Sequence, residues 1–168
     1  PLKLLIDVPV EAAALQELQN SDRFSIDVIT PAAEVGRPLE ASRIADADIS
    51  SVNGIPCFTI SLTEENRNGQ PLLGALSISD LSEKPAVGVW SFYMTGGKKV
   101  PLSSKSCLRY GDLPQGANGM PAPELQTGRV YSIFLNGRPN DPSDPTYVYM
   151  GKFCIVATEK KKKKIIAI

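Results

Sequence analysis

The stretch Gly128-Arg-Val-Tyr-Ser-Ile-Phe-Leu-Asn-Gly-Arg-Pro139, then Asn140-Asp-Pro-Ser-Asp-Pro145, then Thr146-Tyr-Val-Tyr-Met-Gly-Lys-Phe-Cys-Ile-Val-Ala157 decides the fold. Two runs of β-branched and aromatic residues flank a Pro/Asp/Asn segment, the pattern of a β-hairpin with a long loop. Side chains alternate along a strand, so Val130, Ser132 and Phe134 share one face and Tyr131, Ile133 and Leu135 the other. In the second run Tyr147, Tyr149, Lys152 and Phe153 border a nearly continuous apolar end, which predicts a strand buried on both sides.

Working outward, residues 50–158 read as short strands separated by turn signals. Asn53-Gly54 is a tight-turn dipeptide, followed by a strand over Ile55–Leu62 interrupted early by Pro56. Glu64–Pro71 is a polar loop. Leu72–Ser79 and Val87–Met94 are strands, the latter carrying Trp90 as a core anchor. Gly96-Gly97-Lys98-Lys99 is a hairpin turn, lacking the spacing and following helix of a phosphate loop. The Gly- and Pro-rich segment Gly111–Pro123 is irregular. This spacing predicts a mainly β chain: an antiparallel β-sandwich of immunoglobulin or transthyretin type.

Residues 1–49 have another texture. Leu2–Val8 is a compact apolar strand, Pro9 opens an amphipathic helix, Phe24, Ile26 and Val28 alternate as a second strand, and a short helix is expected over Pro38–Ala45. This predicts a partial α/β segment, a short βαβ unit, ahead of the sandwich. Residues 159–168 form a Lys-rich tail, read as frayed and solvated.

Composition is ordinary for a globular protein, with 42% hydrophobic and 21% charged residues and zero formal net charge, so nothing points to nucleic acid. Residues 1–49 carry 4 basic and 9 acidic side chains; with 18 of each in the chain, residues 50–168 carry 14 and 9. Five of those 14 are Lys160–Lys164. No apolar run reaches the length of a transmembrane segment. Histidine is absent, which removes the usual general base and the commonest metal ligand. The three cysteines, Cys57, Cys107 and Cys154, include no CxxC pair and make a poor zinc site. Their spacing fits either three buried thiols or one disulfide with an odd thiol. The acidic pairs Glu64-Glu65 and Asp141 with Asp144 fall in polar loops and read as solvated surface. No cofactor is expected.

Two resemblances add to this reading. Lys3-Leu-Leu-Ile-Asp-Val, Phe24-Ser-Ile-Asp-Val-Ile and Ile44-Ala-Asp-Ala-Asp-Ile49 resemble the amino-terminal start of D-isomer-specific 2-hydroxyacid dehydrogenases. This implies a flavodoxin-like beginning, but the G-x-G-x-x-G and the later Arg/Glu/His set of that family are missing. Asn53-Gly-Ile-Pro-Cys-Phe-Thr-Ile, Arg67-Asn-Gly-Gln-Pro-Leu-Leu-Gly, Cys107-Leu-Arg-Tyr-Gly and Leu125-Gln-Thr-Gly-Arg-Val-Tyr resemble small bacterial envelope lipoproteins of the type VI secretion immunity group. That resemblance spans residues 51–156. It implies a periplasmic or cell-envelope domain that neutralises an incoming effector, and it favours a Cys57–Cys107 pairing.

The functional expectation is a non-catalytic binding module presenting the loops Leu113–Pro123 and Gly137–Thr146 to a protein partner, an effector or toxin. Tyr110, Met120, Arg138 and Asn140 are the expected contacts, chosen for position and interface-prone type. Self-association is a second kind of partnership considered. The alternative is a fragment or subunit of a dehydrogenase-like oxidoreductase, which nicotinamide-cofactor binding would reveal.

Overall fold

A computed structural model describes residues 42–168. The expected strand Leu2–Val8, the helix opened by Pro9, the strand around Phe24–Val28 and the first half of the Pro38–Ala45 helix lie outside the described residues. The centre of the sheet is the pair expected from sequence, β8 (Val130–Arg138) against β9 (Thr146–Ala157), antiparallel with Tyr131 opposite Phe153 and Leu135 opposite Tyr149. Tyr131, Ile133 and Leu135 are buried on the inner face, as their alternation predicts. On β9, Phe153 and Ile155 are buried while Cys154 and Val156, which alternate with them, are half-buried. That strand therefore buries one face more fully than the other. β3 (Leu72–Asp80) lies beside β8, and β4 (Val87–Met94) beside β3; both pairings are antiparallel. They add Leu73, Leu76, Ile78, Trp90 and Phe92 to the same core.

On the far side of β9 the sheet turns. β1 (Arg43–Val52) starts parallel to β9, with Arg43 to Asp46 alongside Thr146 to Met150. From Ala47 onward it pairs antiparallel with β2 (Ile55–Ile60). The two-residue turn between them has Asn53 and Gly54 both at positive φ, 51° and 76°, as a primed hairpin turn requires. β10 (Lys163–Ala167) pairs antiparallel with Phe153–Ala157, the part of β9 that β1 has left. Gly151 lies beneath the crossing. A Cβ there would stand 2.7 Å from Ile49 Cδ1, so the glycine leaves room for the Ile49 side chain of β1 to lie against β9.

The turn folds the β1–β2 end over the inner face. Phe58 of β2 lies 5.5 Å from the ring of Phe153, and Phe153 in turn stacks on Tyr131. Short strands complete the path: β5 (Val100–Pro101) on β3, β6 (Leu108–Arg109) on β2 and β7 (Ala117–Gly119) on β4. The order is β6-β2-β1-β9-β8-β3-β4-β7, one mixed sheet. It curls until its ends approach: Tyr110, just after β6, packs edge-on to Trp90 of β4 at 5.1 Å.

Four details differ from expectation. The pairing is not wholly antiparallel, because β1 joins β9 in parallel. Arg43–Ala45, expected as the end of a helix, open strand β1, which runs across residue 50 without a break. The helix α1 (Leu62–Asn68) takes the end of the expected strand Ile55–Leu62 and much of the expected Glu64–Pro71 loop; it is capped by Ser61, whose Oγ accepts from Glu64 N at 3.2 Å. The Lys-rich tail contains β10, where Ile165 packs against the core. Cross-strand bonding to β9 orders the backbone of Lys163 and Lys164, while their side chains are exposed as composition leads one to expect.

Cys57 and Cys107 form a disulfide with a Cα–Cα distance of 5.4 Å, and Cys154 is a half-buried thiol. The bridge ties β2 to the approach to β6 across 50 residues of chain. Closing a loop of that length stabilises by about 4 kcal/mol in the chain-entropy model.

Candidate functional site

Charged side chains concentrate first where β1, α1 and β9 begin. Arg43 clasps Glu64 with both terminal nitrogens and also donates to Thr146 Oγ1 at 2.9 Å. Arg67 donates to Asp144 Oδ2 at 2.8 Å, and Asp144 Oδ1 accepts from both the amide and the hydroxyl of Thr146. The bond from Arg43 holds the Glu64 carboxyl below the ordinary range against the opposing effect of burial. Burial pushes the nearby Tyr149 hydroxyl up to about 12, helped by Glu64 and Asp144. Next door Glu65 accepts from the amide and hydroxyl of Ser104 and from Gln70, which holds it at about 2. Of the acidic pairs expected as solvated surface, Asp141 is exposed and its carboxylate accepts from Ser143 of its own loop, whereas Glu64, Glu65 and Asp144 fasten elements together. A third cluster does the same, with Arg129 bridging Asp80 and Glu83.

The four expected contact residues fall into two groups. Tyr110 and Met120 meet at Trp90: the indole N–H donates to Met120 O at 2.9 Å, and the Tyr110 ring packs on the indole. Tyr110 is mainly structural. Its hydroxyl donates to Pro123 O at 2.6 Å, and burial raises it to about 12. The Met120 side chain is 75% exposed. Tyr93 of β4, 55% exposed, stands opposite Asn118, two residues before Met120; exposed Leu113 leans on neighbouring Gly119 of β7, and exposed Val87 is at the other end of β4, six residues from Tyr93. A hollow of about 500 Å³ runs along this edge, between Gly88–Ser91 and Met120–Pro123.

Arg138 and Asn140 lie at the other end of β3. Arg138 is opposite Leu72, whereas Trp90 is opposite Ile78. Six residues of strand separate the groups by roughly 20 Å. Asn140 donates to Gln70 O at 3.3 Å, which anchors its loop. Arg138 is exposed and lines a hollow of about 330 Å³ with Lys99, Asn136 and Gly74. Lys99 is absent from the expected contacts. Its signal was the turn Gly96-Gly97-Lys98-Lys99, which delivers a cation to the start of β5. Tyr93 was equally legible, as an aromatic residue alternating with the buried Phe92.

Comparison with family models, with curated proteins and with solved structures returns no match. Fold and site therefore define a class: a mainly β protein with one mixed, curled sheet, a disulfide at one end of it and an exposed apolar edge at the other. No helix among the described residues is long and apolar enough to cross a membrane.

Proposed function

We propose that this chain is a non-catalytic binding module of the periplasm or cell envelope that neutralises a protein effector, in the manner of type VI secretion immunity proteins. The carrying observation is the exposure of Tyr93 and Met120 on the β4–β7 edge, Tyr93 opposite Asn118 two residues before Met120, with Met120 three-quarters exposed. Clustered apolar and aromatic side chains on a rigid sheet are the ordinary core of a protein interface. In this reading the folded-over β1–β2–β6 end serves as the second layer of a sandwich of immunoglobulin or transthyretin kind. The Cys57–Cys107 bridge suits an oxidising compartment. No observation among the described residues favours the oxidoreductase alternative, whose resemblance rests on residues 1–49.

The test is rescue from toxicity. Exported to the periplasm, the chain lifts growth arrest by a cognate type VI effector delivered there, and the Tyr93→Ala, Met120→Asp double variant does not. Equal rescue by both removes the edge from the proposal. Continued arrest with the wild-type chain across a panel of such effectors removes the effector reading. A wild-type dimer that buries this edge and does not rescue supports self-association instead.

A further inference from the structure

Four of the five arginines among the described residues lie within 4.0 Å of a carboxylate: Arg43, Arg67, Arg109 and Arg129. Among the described residues no carboxylate lies within that distance of Arg138, or of Lys99, the other cation of its hollow. The strand register explains how the two come together. Leu73 pairs with Val100 of β5 on one side and with Gly137 of β8 on the other. Lys99 and Arg138 thus approach the start of β3 from opposite flanks. Between them β3 carries a bulge: Leu73 is opposite Gly137 and Ala75 opposite Asn136, so Gly74 is the extra residue. A Cβ at Gly74 would stand 2.9 Å from Lys99 Nζ. The missing side chain is what lets the ammonium settle onto the sheet.

We infer that this hollow receives a carboxylate of an acidic protein segment. The guanidinium of Arg138 offers a planar fork for two carboxylate oxygens, and Lys99 adds a point charge. Asn136 supplies an amide donor at the rim. The hollow opens on the sheet surface beside exposed Leu72, a setting for an extended acidic side chain with its own apolar stem. This deepens the proposed function, on which it rests, by giving the partner a chemistry: an acidic protrusion that reaches the end of β3 remote from Met120.

The test is titration of the isotopically labelled chain, followed by the amide resonances of Gly74, Ala75 and Asn136. The probes are a Glu-rich peptide, a Lys-rich peptide of the same length and inorganic phosphate. The Glu-rich peptide shifts those resonances and the Lys-rich peptide does not. Lys99→Gln with Arg138→Gln weakens the peptide about tenfold, as loss of charge-assisted hydrogen bonds at an open site predicts. Both side chains are exposed, so the variant keeps the wild-type spectrum elsewhere. Gly74→Ala keeps both charges but displaces the ammonium, and it weakens the peptide severalfold. Unchanged affinity in the double variant overturns the inference, as does phosphate acting at the same resonances with equal affinity. Outcomes also separate this inference from the effector reading. A chain that lifts toxicity without binding the peptide sinks only the acidic-segment inference. One that binds the peptide and never lifts toxicity sinks only the effector reading.

Discussion

The curled sheet has two seams, and they are made differently. At the β1–β9 seam the backbones are hydrogen-bonded in parallel, and Arg43, Glu64, Arg67, Asp144 and Thr146 lock the strand starts to α1. At the other seam, where β6 approaches β4, contact depends on side chains: the Tyr110 ring lies against the Trp90 indole, whose N–H also donates to the Met120 carbonyl just beyond β7. A backbone ladder specifies register along its whole length, whereas a few side chains specify a single point. The exposed apolar edge lies beside the side-chain seam, so the proposed partner surface is also the less constrained end of the sheet.

The largest test of this contrast is Phe58→Ala. Phe58 is fully buried and packs on Phe153 beneath the fold-over; its loss should lower unfolding free energy by about 3–5 kcal/mol in urea titration. A loss under about 1 kcal/mol would mean the fold-over contributes little. Reduction of Cys57–Cys107, or Cys57→Ser with Cys107→Ser, should cost about 2–4 kcal/mol. Hydrogen exchange should then quicken in β2 and β6 before β8 and β9. Trp90→Phe removes the N–H donated to Met120 O and should cost about 1–2 kcal/mol, with faster exchange confined to β4 and β7. Faster exchange in β1 instead would refute the independence of the two seams.

The pH dependence addresses the first seam. Glu64 is held below its ordinary value of 4.5 in the folded chain, so its ionised form stabilises above that value and the contribution is lost as pH falls. Glu65, held at about 2, extends the same trend downward. Acid unfolding curves should show stability declining from about pH 4.5 towards 2, and Glu64→Gln should remove about 1 kcal/mol of that decline. The smallest effect is expected at the second seam. Met120→Ala should change stability by less than about 0.5 kcal/mol while weakening effector binding by more than about 1 kcal/mol by calorimetry.

Much of the sheet was legible because alternation is a local signal. Tyr131, Ile133 and Leu135 announce their buried face, and Asn53-Gly54 announces its turn. The helix α1 was legible in part. Ser61-Leu62-Thr63-Glu64 is a capping-box pattern, but it has no apolar stripe behind it, and the polar run reads as a loop. Non-local choices were not legible. Nothing in Arg43–Asp46 says that its neighbour lies about a hundred residues later in the chain and runs parallel. Nothing in Lys163–Ala167 says that β9 will offer it an edge. The site was legible by residue type and not by grouping: Arg138 and Met120 are both exposed, but only the register shows that they stand at opposite ends of β3. Lys99 was hidden because its role depends on a bulge in another strand.

The departure of β1 from β9 after Asp46 has a consequence for biosynthesis. Until β10 has emerged, Phe153–Ala157 presents naked amides and carbonyls next to an apolar run, a template on which neighbouring nascent chains can add a strand. The five consecutive lysines leading into and starting β10 place like charges at that point, so chains that meet there before folding repel one another. Replacing Lys160–Lys162 with serines should leave the finished sheet intact and raise the fraction of newly made protein lost to aggregates.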